Sequence, residues 1–133
     1  MNPMANVTLG ATSEASTVVT RELTVRHFHE DMPEVYGTPF MIYLMELAAT
    51  QAIQALLPAG WVSVGVDVNI RHLAATPVGR TVTAHAQVTE IGEKLVSFSV
   101  RAHDGVRLIG QGTHTRAPIC LARFERALAE GQA

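Results

Sequence analysis

The chain has 133 residues, 47% of them apolar and 17% charged, with ten basic against twelve acidic side chains and a formal charge of −2. That length makes one domain able to bury its own core, and the apolar content with so small a net charge excludes disorder as the main state. No Lys/Arg cluster marks a phosphate-binding face, so nucleic acid is not expected as a partner. The most apolar window, Phe40–Ala49, is too short to span a membrane and contains Glu46, so no membrane association is expected either. A lone cysteine, Cys120, permits neither an intramolecular disulfide nor a Cys-rich zinc site, and no charged, apolar leader precedes Arg21. A cytoplasmic protein is expected.

Residues 1–16 are small and polar without a sustained period and read as a flexible N-terminal arm, with a single domain over residues 17–133. The β-branched run within Thr17–Arg26 predicts a first strand, and His27–Gly37 a loop. Thr38 is a good N-cap and Pro39 a good first helical residue, so a helix starts there and runs to about Leu57, where Pro58-Ala59-Gly60 stops it. Its apolar residues cover most of the circumference, and a helix of that kind is buried on nearly every side. Val62–Leu73 alternates, placing Val64, Val66, Val68, Ile70 and His72 on one face. Thr81–Ile91, Leu95–His103 and Val106–Ala117 read as three further strands. Asp104-Gly105 is the strongest hairpin signal in the chain, because both residues can take positive φ. Arg123–Glu130 reads as a short closing helix.

Short connections mean antiparallel pairing. The pattern predicts an α+β fold, with a five- to six-stranded antiparallel sheet wrapped around one long central helix. Such a sheet leaves an edge strand open, and pairing with a second copy would protect it, so a homodimer is expected.

Glu46 is the odd residue of the helix, set between Met45 and Leu47. An unpaired carboxylate there costs several kcal/mol, so it is paired, wet or protonated. It reads equally as part of a solvent-facing stripe with Thr50, Gln51 and Gln54, or as a working base or nucleophile. His72 points at the helix if the alternation holds, either as a core histidine bonded to a backbone carbonyl or as the acid–base partner of Glu46. Thr38, beyond capping, sits where helix N–H groups face anions and oxyanions. Eight residues separate Thr38 from Glu46, about 12 Å on a straight helix, too far for a direct bond. His27, His29, His85, His103 and His114 lack metal-ligand spacing, so no metal is expected. Gly110 and Gly112 share a strand face with His114 and suggest a close backbone approach or a strong bend.

Four runs carry a family resemblance: Tyr36-Gly-Thr-Pro-Phe-Met-Ile-Tyr-Leu-Met-Glu-Leu-Ala, Arg71-His-Leu-Ala-Ala-Thr-Pro-Val-Gly, Ala102-His-Asp-Gly-Val and Gly110-Gln-Gly-Thr-His-Thr-Arg. Over Thr24–Phe124 the chain resembles the hotdog-fold thioesterases, most of all the fluoroacetyl-CoA thioesterase group. The resemblance implies an acyl-CoA thioesterase with active sites at the interface of a homodimer or tetramer, acting without a cofactor because the CoA thioester is the substrate. It implies catalytic roles for Thr38, Glu46 and His72. It also implies a backbone N–H of Gly65 facing the thioester oxygen, and Arg116 near the bound CoA. The segment Phe28–Gly37 is shorter than the aromatic-bearing lid of the fluoroacetyl-selective members and holds only Phe28 and Tyr36 as aromatics, so a different acyl selectivity is expected. A hotdog hydratase-type lyase and a non-catalytic acyl-CoA binder are the alternatives.

Overall fold

A helix that is apolar on most sides needs a sheet around it, and the fold supplies one. The computed structural model describes residues 2–132. Its strands are β1 (Thr12–Val18), β2 (Trp61–His72), β3 (Thr81–Ile91), β4 (Val96–His103) and β5 (Leu108–Cys120). Its helices are α1 (Val25–Phe28), α2 (Thr38–Gln54) and α3 (Leu121–Ala129). The strands form one antiparallel sheet in the order β1-β3-β4-β5-β2. This is the hotdog architecture: the sheet curls about α2, whose Met41, Leu44, Met45, Ala48, Ala49, Ala52 and Ile53 are buried. Facing them are Val82, Ala84, Ala86 and Val88 of β3 and Val96, Phe98, Val100 and Ala102 of β4, all buried. The alternation expected for these two strands holds, and each fully buried side chain of this size contributes about 1.5–3 kcal/mol relative to exposure.

Four expectations change. The first strand lies at Thr12–Val18 rather than Thr17–Arg26. Part of the segment expected as an arm is therefore strand, and Met4 and Val7 join the core. The small residues Ser13, Ala15 and Thr17 alternate as its half-buried face, a pattern too polar to announce itself. The β-branched stretch after it becomes a 3₁₀ turn at Arg21–Leu23 and the short α1, with the buried Thr24 hydroxyl donating to the Arg21 carbonyl at 2.7 Å.

Second, Gly37 is the N-cap of α2 and Thr38 its first helical residue, so Thr38 does not cap. The Gly37 N–H donates to the Leu23 carbonyl at 2.9 Å and the Tyr36 N–H to the Thr76 carbonyl at 2.8 Å, which fixes the entry to the helix. Third, β2 carries a bulge. Gly65 pairs with Arg116 but Asp67 with Thr115, leaving Val66 as the extra residue. Val64 then pairs with Ala117 and Val68 with His114, three residues apart on β5 and so on opposite faces. The expected single face breaks at Val66: Val68, Ile70 and His72 lie on the helix side, and Val64 does not.

Fourth, only Gly105 takes positive φ at the β4–β5 turn (87°), and Asp104 acts through its side chain instead. Its Oδ1 accepts the N–H groups of Val106 and Arg107 at 3.0 and 3.1 Å. Its Oδ2 accepts from the Thr76 hydroxyl at 2.9 Å and from Arg80 at 3.1 Å. Burial pushes this carboxyl up, but the four donors outweigh it and bring its pKa down to about 2 from the ordinary 3.8. A carboxylate with a depressed folded pKa stabilises the protein above the unfolded value and loses that contribution as pH falls through the folded one. Asp104→Asn is therefore expected to cost about 2 kcal/mol near neutral pH, a gap that closes as pH drops from about 4 towards 2. Urea unfolding of both proteins across that range checks it.

Candidate active site

Two polar clusters lie along α2. At its N-terminus, Thr38 Oγ1 and His72 Nδ1 are 2.6 Å apart, a hydrogen bond between the first helical residue and the last residue of β2. The Leu73 N–H, bonded to the Ile109 carbonyl at 2.7 Å, anchors the strand end that carries His72. Burial pushes the His72 imidazole below its ordinary pKa, partly offset by the nearby backbone of Ala74, so the ring is neutral at neutral pH. Its Nε2 is buried with no hydrogen-bond partner among the described residues. A buried orphan atom of this kind calls for a ligand, a water or a second chain.

Two turns further along, Glu46 Oε2 lies 3.4 Å from Arg116 Nη1 and 3.9 Å from His114 Nε2. Arg116 is buried on β5 and held from three sides. Its Nε donates to Ser63 Oγ and its Nη2 to the Ser63 carbonyl, both at 2.8 Å, and Nη1 is 3.1 Å from His114 Nε2. Burial draws the guanidinium below its ordinary pKa, and Glu46 works against that. His114 is also pushed down by burial, and its Nδ1 is 2.8 Å from the Asp67 carbonyl. Gly65 completes this cluster by what it lacks: a Cβ there would stand 2.5 Å from Glu46 Oε2 and 3.2 Å from His114 Cε1.

The expected residues therefore fall into two groups. Thr38 meets His72; Glu46 meets Arg116 beside Gly65. The expected pairing of Glu46 with His72 does not form within the chain, and the imidazole beside Glu46 is that of His114. Ser63 and His114 are the residues that sequence reasoning missed. Period two would have found both, since His114 lies two residues before Arg116 and Ser63 two before Gly65, and alternate strand residues share a face. Gly110 and Gly112 serve close approach. A Cβ at Gly110 would meet Met41 Sδ at 2.5 Å, and one at Gly112 would run into the Asn69 carbonyl and Ile70. Of the two aromatics before the helix, Tyr36 is buried, while Phe28 is exposed and stacks on Phe40 at 5.7 Å between ring centroids.

Residues 19–120 match the family of fluoroacetyl-CoA-specific thioesterases. The fluoroacetyl-CoA thioesterase of Streptantibioticus cattleyicolor is 42% identical over 113 residues, covering 80% of this chain and 81% of that protein. A solved structure of the fluoroacetyl-CoA thioesterase FlK superposes with a TM-score of 0.86 at 38% identity, over 92% of this chain and 96% of that one. A Thermus thermophilus hypothetical protein of the thioesterase superfamily gives a TM-score of 0.88 at 32% identity, over 96% of this chain and 94% of that one.

Proposed function

The chain belongs to the fluoroacetyl-CoA-specific thioesterase family and is an acyl-CoA thioesterase, and from that premise we propose that each reaction centre joins Thr38 and His72 of one subunit to Glu46 of another. The observation that carries this is the spacing on α2. A nucleophile or base must come within about 3–3.5 Å of its target, yet Thr38 and Glu46 stand about 12 Å apart along one helix. The sheet order supports a second copy as the missing half. β2 is an edge strand, and its Val66 and Val68 are 53% and 42% exposed, apolar surface beside unpaired backbone groups. A two-fold axis through that edge runs two α2 helices side by side in opposite directions. That arrangement brings the start of one helix toward the middle of the other and gives the orphan His72 Nε2 a second chain from which to find a partner.

In this reading the thioester carbonyl sits at the N-terminus of α2, where the Thr38 N–H and the Thr38 hydroxyl receive the developing negative charge. The Glu46 carboxylate, its charge balanced by Arg116, takes a proton from the attacking water, or adds to the carbonyl to form an anhydride that water then hydrolyses to regenerate the carboxylate. The C–S bond breaks, the thiolate leaves as CoA after gaining a proton, and the acyl group leaves as a carboxylic acid. His72 carries the proton between these positions. The acyl group is a short one, in keeping with the fluoroacetyl-CoA thioesterase relative. The single free cysteine, Cys120, accords with a cytoplasmic setting.

Subunit mixing tests the composite site. Thr38→Ala and Glu46→Gln are each expected to be nearly inactive in thiol release from short acyl-CoA thioesters. Co-expressed, half the dimers are mixed and each holds one intact site, so activity should recover to about a quarter of wild type. Sites built within one subunit would give no recovery, and a monomer in sedimentation would remove the proposal outright.

A further inference from the structure

We propose that His114 is a positioning residue that sets the direction of the Arg116 guanidinium and through it the Glu46 carboxylate. The proposal rests on Glu46 acting in hydrolysis, as above. The ring is fixed at both nitrogens. The Asp67 carbonyl can only accept, so Nδ1 carries the hydrogen and donates it across 2.8 Å. That leaves a lone pair on Nε2, which faces Arg116 Nη1 at 3.1 Å and accepts from it. Asp67 is the first paired residue beyond the Val66 bulge, so the irregularity in β2 is what presents that carbonyl to the ring.

Arg116 has five N–H groups in a rigid fork. The one on Nε and one of the two on Nη2 are engaged by Ser63, which holds that edge of the fork and leaves the Nη1 end free to swing about it unless something else holds it. With one Nη1 hydrogen on His114, the other is directed at Glu46 Oε2, 3.4 Å away. His114 thus acts on the carboxylate through the arginine.

A proton-carrying role for His114 is disfavoured by its surroundings. The side chain is 1% exposed. A second proton would remove the acceptor that Arg116 uses and set two cations 3.1 Å apart. The groups facing the ring are Arg116 on β5, Glu46 on α2 and Asp67 on β2, with Phe98 of β4 stacked at 6.1 Å and 28°. Phe98 offers a flat surface that a phenyl ring fits equally well.

His114→Phe therefore keeps the ring and its stacking and removes both hydrogen bonds. It should lower kcat by about ten- to a hundredfold with KM nearly unchanged. His114→Gln, which can donate to Asp67 and accept from Arg116, should restore most of the rate. A His114→Phe enzyme with wild-type kcat overturns the proposal, as does a His114→Gln enzyme no better than His114→Phe. If the phenylalanine variant does not fold, His114→Met takes its place with the same expectations. Glu46→Gln run alongside separates the two readings. Full activity in that variant sinks the role of Glu46, whereas an inactive Glu46→Gln beside an unchanged His114→Phe sinks only the role of His114.

Discussion

Glu46→Gln should reduce kcat for acyl-CoA hydrolysis by at least about a hundredfold, measured as free thiol released, with a melting temperature close to wild type. Glutamine keeps the shape of the side chain and can still accept from Arg116, so the packing of α2 is undisturbed. Arg116 also keeps both bonds to Ser63. What the amide cannot do is take a proton from water or attack a thioester carbon. The side chain is one-third exposed, open enough to be reached by substrate and tied enough to be oriented. A mere solvent-facing glutamate would tolerate the change, so near wild-type turnover would remove the mechanism while leaving the fold intact.

The elements that could be read from the residues are those whose pattern is local and uninterrupted. β3 is readable because Val82, Ala84, Ala86 and Val88 alternate without a break and all face α2, the register shifting only beyond Val88. The start of α2 was readable from Pro39, but the job of Thr38 was not: its hydroxyl bonds to His72, 34 residues away. The face of β2 was misread because a bulge is one extra residue, and Val66 looks like any other valine in an alternating run. Turn chemistry misled in a similar way. Asp104-Gly105 suggested a two-residue turn, whereas the buried carboxylate organises a wider one from its side chain. Within the site, Glu46 stood out as the carboxylate in an apolar helix. Gly65 and Arg116 came only through family resemblance, since nothing in their types marks a site. Nothing in its residue type marks His114, because its partners, a carbonyl of β2 and an arginine of its own strand, depend on the bulged register.

Gly65→Ala should be the other severe loss, about a hundredfold in kcat, and for a reason the sequence hides. Gly65 does not have positive φ, so conformational freedom is not what the position requires. Space is. An added Cβ would stand 2.5 Å from Glu46 Oε2, 3.2 Å from His114 Cε1 and 3.4 Å from Arg116 Nη1. The first of these is closer than a carbon tolerates, and the atom in the way is the far end of a flexible side chain. The carboxylate therefore yields, and the backbone does not have to. Stability should change little, whereas a displacement of about 1 Å in a reacting group costs on the order of a hundredfold in rate. Gly112 is the contrast, because there the obstruction is the backbone of β2, and alanine should lower the melting temperature. Combining Gly65→Ala with Glu46→Gln identifies the route of the effect. If alanine acts by moving Glu46, the double variant should be no slower than Glu46→Gln alone, since one group cannot be lost twice. Losses that multiply would instead place the contribution of Gly65 elsewhere, in a backbone N–H aimed at the thioester oxygen, which alanine retains but shifts.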